Sequence, residues 1–107
     1  MNWTVETLNA LVDRELEALP VDQRAKFLRI AELIEAKGLD RVREPYVKHL
    51  EGPLWEIRMK GRDGISRALY VTATGRRVVV VRVFVKKTQK TPRREIKLAL
   101  DRAKEVE

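Results

Sequence analysis

A chain of 107 residues carries 23 Lys and Arg, 16 Asp and Glu, one His and no Cys, for a net charge of +7. That length fits one domain over residues 1–107 with a core large enough to stand without staples, and the lack of cysteine excludes a disulfide framework, a thiolate metal site and a cysteine nucleophile. The longest apolar run is far short of a membrane span, and Met1-Asn2-Trp3-Thr4 lacks the charged-then-apolar layout of a secretion signal, so a soluble, cytoplasmic protein is expected.

The charge is unevenly divided. Residues 1–57 hold 8 Lys and Arg against 11 Asp and Glu, whereas residues 58–107 hold 15 against 5. A cationic half of that density attracts polyanions, with binding that weakens steeply as salt rises.

In chain order, Leu8, Leu11, Val12, Leu16 and Leu19 recur at helical spacing and predict an amphipathic helix over 6–19, ended by Pro20. A short strand at Trp3 to Val5 is an option ahead of it. Phe27, Ile30, Ala31 and Ile34 form the stripe of a second helix, with Leu28 and Leu33 beside it and Gly38 where a left-handed terminus is wanted. The short connection implies an antiparallel helical hairpin.

After Pro45 the period changes to that of strands. Tyr46 to Leu50 reads as a short strand or an extended loop. From Leu54 to Lys60 the residues alternate, Trp55, Ile57 and Met59 on one face against Glu56, Arg58 and Lys60 on the other. Turns at Arg62-Asp63-Gly64 and Thr74-Gly75-Arg76 separate further strands at Ile65 to Thr72 and Val78 to Val85. Thr91 then reads as the N-cap and Pro92 as the first position of a last helix, with Ile96, Ala99, Leu100 and Ala103 apolar. The predicted class is α+β: an antiparallel meander of three to four strands with an N-terminal helical hairpin and a C-terminal helix, all helices on one sheet face.

Candidate chemistry gathers on the strands. Arg58 and Lys60 share a face of one strand, Arg67 lies on the next, and Arg82 and Lys86 share a face of the third. Lys86, Lys87 and Lys90 then place three ammonium groups within five residues, with Thr88 and Gln89 between them. Guanidinium groups can grip two phosphate oxygens and stabilise the charge that builds on phosphorus during transfer. A lysine whose pKa is lowered by neighbouring cations can protonate a leaving oxygen. His49, the only histidine, excludes a two-histidine ribonuclease mechanism. Tyr70, opposite Arg67 by parity, and Trp55 are expected to pack in the core.

Leu54-Trp55-Glu56-Ile57-Arg58, Ser66-Arg67-Ala68-Leu69-Tyr70-Val71 and above all Phe84-Val85-Lys86-Lys87-Thr88-Gln89-Lys90-Thr91-Pro92 resemble the RelE/HigB-like toxins of type II toxin–antitoxin systems, nearest to the phage-derived, HigB-like host-killing branch. The resemblance implies a RelE-like fold and a metal-independent, cofactor-free endoribonuclease that enters the A site of the 30S ribosomal subunit and cleaves mRNA until a cognate, DNA-binding antitoxin masks it. Residue by residue it implies Arg58, Arg67, Lys86 and Lys87 as catalytic, and Lys60, Arg82, Thr88, Gln89, Lys90 and Arg93 as RNA-binding. Glu56 stands where some relatives carry a second strand lysine, and no acid–tyrosine–histidine cluster lies near the C-terminus, leaving the general base unassigned. The antitoxin has two possible seats, the basic face and the acidic N-terminal helices. Two other readings stay open: a non-catalytic binder of gyrase, as in the related ParE branch, or of nucleic acid, and a basic structural protein.

Overall fold

The computed structural model describes residues 2–86 and 90–107. Its elements are β1 (Thr4–Thr7), α1 (Ala10–Glu17), α2 (Val21–Lys37), a 3-10 turn (Leu39–Arg41), β2 (Val47–Glu51), β3 (Leu54–Gly61), β4 (Gly64–Ala73), β5 (Arg77–Lys86) and α3 (Arg93–Ala103). The strands form one sheet in the order β1-β5-β4-β3-β2. β2 to β5 are antiparallel neighbours, but β1 runs parallel to β5, with Thr4 opposite Arg77 and Thr7 opposite Val80. The meander expectation is therefore corrected to a five-stranded mixed sheet.

Pairing of β1 with β5 also shortens the first helix: Thr4 to Thr7 are claimed by strand hydrogen bonds, and α1 begins after Asn9, whose side chain accepts from Val12 N at 3.1 Å. α1 lies on β5 and β1, and α2 on β3 and β1. Each takes its apolar partner chiefly from the sheet. Gly38 does end α2, with its N–H donating to Ile34 O at 2.8 Å, but at φ 92° and ψ 149° instead of the left-handed helical values.

The helices cover both faces of the sheet. Val12, Phe27, Ile30 and Ile34 from α1 and α2 bury against Ile57, Met59, Ala68, Tyr70, Val78, Val80 and Val83. On the other face Ile96 and Ala99 of α3 bury against Leu54, Leu69, Val71, Val79, Val81 and Phe84. A sheet sandwiched this way needs apolar residues at both parities, which is why the valine run is almost continuous. Each fully buried Ile or Val contributes about 1.5–3 kcal/mol.

One irregularity shapes β5. Leu69 faces Arg82 and Tyr70 faces Val80, so Val81 is an extra residue, a β-bulge. Val81 and Arg82 both turn to the α3 side, Val81 into its core and Arg82 toward the rim.

Beyond Val80, β1 no longer covers the edge of β5, and side chains take over the exposed backbone. Arg102 of α3 donates to Val81 O at 2.9 Å, and Glu15 of α1 accepts from Val83 N at 3.1 Å. Glu15 also pairs with Arg82 at 2.8 Å and with Arg102 at 2.9 Å. Its removal leaves Arg82 only Glu95 and Arg102 only Val81 O, and takes the acceptor from one backbone donor. Glu15→Ala is expected to cost about 2–3 kcal/mol, read as a lower urea midpoint with an unchanged slope.

The first turn of α2 anchors the β3–β4 hairpin. Asp22 accepts from Arg62 N at 2.7 Å, and the Ser66 hydroxyl donates to Gln23 Oε1 in the interior. The approach is close enough to require glycine at 61: a Cβ there would lie 2.5 Å from Gln23 Cγ and 2.6 Å from Asp22 Oδ2. Two strands that carry arginines are thereby held in register.

Candidate functional site

The α3-facing side of the sheet has two halves. α3 covers the half with Leu69, Val71, Val79 and Val81. The helix begins only at Arg93, and beyond its N-terminus the same face carries polar rows set by strand register. Lys48, Glu56, Leu69 and Arg82 form one row. Arg58, Arg67 and Phe84 form the next, followed by Lys60, Ile65 and Lys86. Arg58 and Arg67 are direct cross-strand partners, an arrangement that repels unless a negative group intervenes.

Glu56 is that group. It is 1% exposed. Its Oε1 accepts from Arg58 Nε at 3.2 Å and lies 3.4 Å from Arg67 Nε, while its Oε2 accepts from the Thr91 hydroxyl at 2.9 Å. Thr91, expected as a helix cap, makes no capping bond to α3, whose N-cap is Pro92. Its hydroxyl is spent on the carboxylate instead.

Arg67 is 4% exposed, yet among the described residues its Nε and Nη1 have no hydrogen-bond partner. Burial lowers its pKa and Arg58 adds to that effect, while Glu56 opposes it. Both nitrogens are also closed to solvent, so Arg67 acts on an anion at this face through its charge and not through these two donors. Lys86 is also buried, and its pKa is lowered by desolvation first, then by Arg67, Arg58 and Lys48, with Glu56 acting the other way. The cluster therefore combines two guanidiniums able to hold a phosphate with an amine more acidic than an ordinary lysine.

Of the residues singled out from sequence, Arg58, Arg67 and Lys86 come together, with exposed Lys60 at the margin of the same face. Lys87, Thr88 and Gln89 lie outside the described residues. Lys90 is exposed. Arg82 shares the face but is turned away from the cluster: it pairs with Glu95 at 2.7 Å and Glu15 at 2.8 Å, and its guanidinium carbon lies 5.8 Å from the Phe84 ring centroid. Those pairs raise its pKa and commit its charge to the fold. Arg93 is exposed and paired with Glu51.

Glu56 and Thr91 were missed by sequence reasoning as members of the site. A signal for Glu56 existed, since it shares strand parity with Arg58 on a cation-rich face; Thr91 offered none, because its pattern matches a cap equally well. Tyr70 is buried as expected, and burial raises its pKa. Trp55 is not a core anchor: it is 40% exposed, edge-on to His49 at 4.9 Å, at an open groove that it lines with Trp3, Leu39, Val42 and Tyr70. His49 Nε2 donates to Gly52 O at 2.9 Å, a bond that steadies the β2–β3 turn.

Among the described residues no helix is long and apolar enough to cross a membrane. No group of three His, Cys, Asp or Glu among them could hold a metal ion.

Comparison with known proteins gives a family and a fold. The family described as "Phage derived protein Gp49-like" matches residues 14–104. No match is found among curated proteins. The solved structure of the archaeal RelE–RelB complex from Pyrococcus horikoshii OT3 contains a chain similar to this one, with a TM-score of 0.60 and 21% identity over 79% of this chain and 96% of that one. The chain belongs to the phage-derived Gp49-like family and has a fold similar to that of RelE.

Proposed function

We propose that this protein is the toxin of a type II toxin–antitoxin pair, of the RelE/HigB-like kind, and that it cleaves mRNA in the A site of the 30S subunit. The observation that carries the reading is the convergence of Arg58, Arg67 and Lys86 on one sheet face, with the Arg67 guanidinium desolvated and, among the described residues, without hydrogen-bond partners at Nε and Nη1. Family membership and the RelE-like fold support it.

In this mechanism an RNA 2′-hydroxyl attacks the adjacent phosphorus, its proton passing to solvent water, and the bond to the 5′-oxygen breaks, leaving a 2′,3′-cyclic phosphate and a 5′-hydroxyl. Arg58 and Arg67 stabilise the pentavalent transition state, Arg67 all the more for acting in a water-poor setting. Lys86 delivers a proton to the departing 5′-oxygen, with Lys87 next to it in sequence. Lys60 and Lys90 add phosphate contacts that position the strand. The partner is an antitoxin, as the pairing of RelE with RelB in the archaeal complex suggests; an acidic segment laid over the basic face would mask the site.

Expression of the chain alone, with transcript ends mapped with and without ribosomes, tests the reading. Growth arrest with cuts only when ribosomes are present is expected. DNA damage with intact transcripts would overturn it in favour of a gyrase-binding protein.

A further inference from the structure

Glu56 is a carboxylate in the middle of a cationic surface, at a position where a lysine would have been the simpler way to attract RNA. Each of its oxygens accepts a hydrogen bond, one from Arg58 Nε and the other from the Thr91 hydroxyl. With only 1% exposure it has no room to receive a proton from a substrate hydroxyl. Toward Arg67 its role is different. Oε1 lies 3.4 Å from Arg67 Nε, near enough for strong Coulombic attraction, yet Nε and Nη1 remain without a hydrogen-bond partner among the described residues. Glu56 thus holds Arg67 by charge and without a hydrogen bond to it, fixing the buried end of the guanidinium from below the sheet face.

We propose that Glu56 is a positioning residue of this site: its carboxylate draws Arg58 and Arg67 together across β3 and β4 so that both guanidiniums converge on one substrate phosphate. The proposal rests on the RNA-cleavage reading for its kinetic consequences, but the convergence itself can be observed without cleavage. Without the carboxylate, the cross-strand arginines and Lys86 repel one another, and a displacement on the order of 1 Å costs a factor of about 10² in rate. The charged groups acting on Lys86 are Arg67 from β4, Glu56 and Arg58 from β3 and Lys48 from β2; Glu95 of α3 is occupied by Arg82. Glu56 is the one carboxylate among those groups, so it also sustains the ammonium form of Lys86.

The test is Glu56→Gln, which keeps an acceptor for Thr91 and removes the charge. With wild-type-like backbone NMR spectra, kcat should fall by about 10² while KM stays level or drops, since a negative charge beneath the RNA is gone. The alkaline limb of the pH–rate profile should move to lower pH. In the RNA-free protein, the Nε–H resonances of Arg58 and Arg67 should be sharp in wild type and should both exchange-broaden in Glu56→Gln. Glu56→Asp, which keeps charge but shortens reach, should retain the alkaline limb and still lose kcat. Unchanged kcat and pH limb in Glu56→Gln would overturn the proposal, as would loss of the backbone spectrum in either variant. If wild type cleaves no transcript, the nuclease reading fails by itself, and the arginine resonances still decide the role of Glu56: both sharp in Glu56→Gln overturns it, both broadened upholds it.

Discussion

Arg67→Met is expected to abolish growth arrest, with RNA cleavage lowered about 10³-fold, while the unfolding free energy stays level or rises by about 1–3 kcal/mol. Loss of activity and gain of stability have the same cause. Arg67 is buried with two nitrogens lacking hydrogen-bond partners among the described residues, and its pKa is lowered by that burial. A group so placed is held at a cost to the fold. Methionine fills a comparable volume without polar atoms to desolvate, and Glu56 keeps its bonds from Arg58 and Thr91. Urea unfolding read beside growth curves checks both halves. A fully toxic Arg67→Met variant removes the catalytic assignment, and a strongly destabilised one shows that Arg67 is structural.

Lys86→Arg should lower kcat by about 10² with the cationic charge preserved, because a guanidinium cannot surrender its proton to a departing alkoxide. For wild type the sign of the pH effect follows from the direction of the shift. The Lys86 pKa lies below the ordinary 10.5, and the acid is the protonated form, so cleavage should decline as pH rises through that lowered value. The alkaline limb should vanish in the arginine variant. Its persistence unchanged would assign the proton donor elsewhere. Stability runs the other way: the folded state disfavours the ammonium, so below its folded pKa Lys86 weakens the fold, and this penalty is relieved as pH climbs toward 10.5.

How far the site could be read from the chain differs strand by strand. In β3 the alternation of Trp55, Ile57 and Met59 with Glu56, Arg58 and Lys60 is legible because only one parity is uniformly apolar. β4 held a clue that all helices could not share one face: Leu69 and Val71 have the parity of Arg67, so part of the arginine-bearing side had to be buried. α3 supplies that cover. β1 was hard to place, since four residues cannot show a period and gain their strand identity from β5. The ion pairs of Arg82 depend on Glu15 and Glu95, from helices whose placement no local pattern encodes.

Strand β5 was the least legible, because valines on both parities hide the place where alternation skips a beat at Val81. Counted from Val78 and Val80, which face α1 and α2, strict alternation would send Phe84 and Lys86 to that same side. The single supernumerary residue reverses the parity of everything after it, delivering Phe84 under α3 and Lys86 beside Arg67. The number of residues between Val80 and Lys86 is therefore under a constraint separate from their chemical character: a one-residue deletion there would preserve a valine-rich strand and carry the lysine through the sheet to the wrong side.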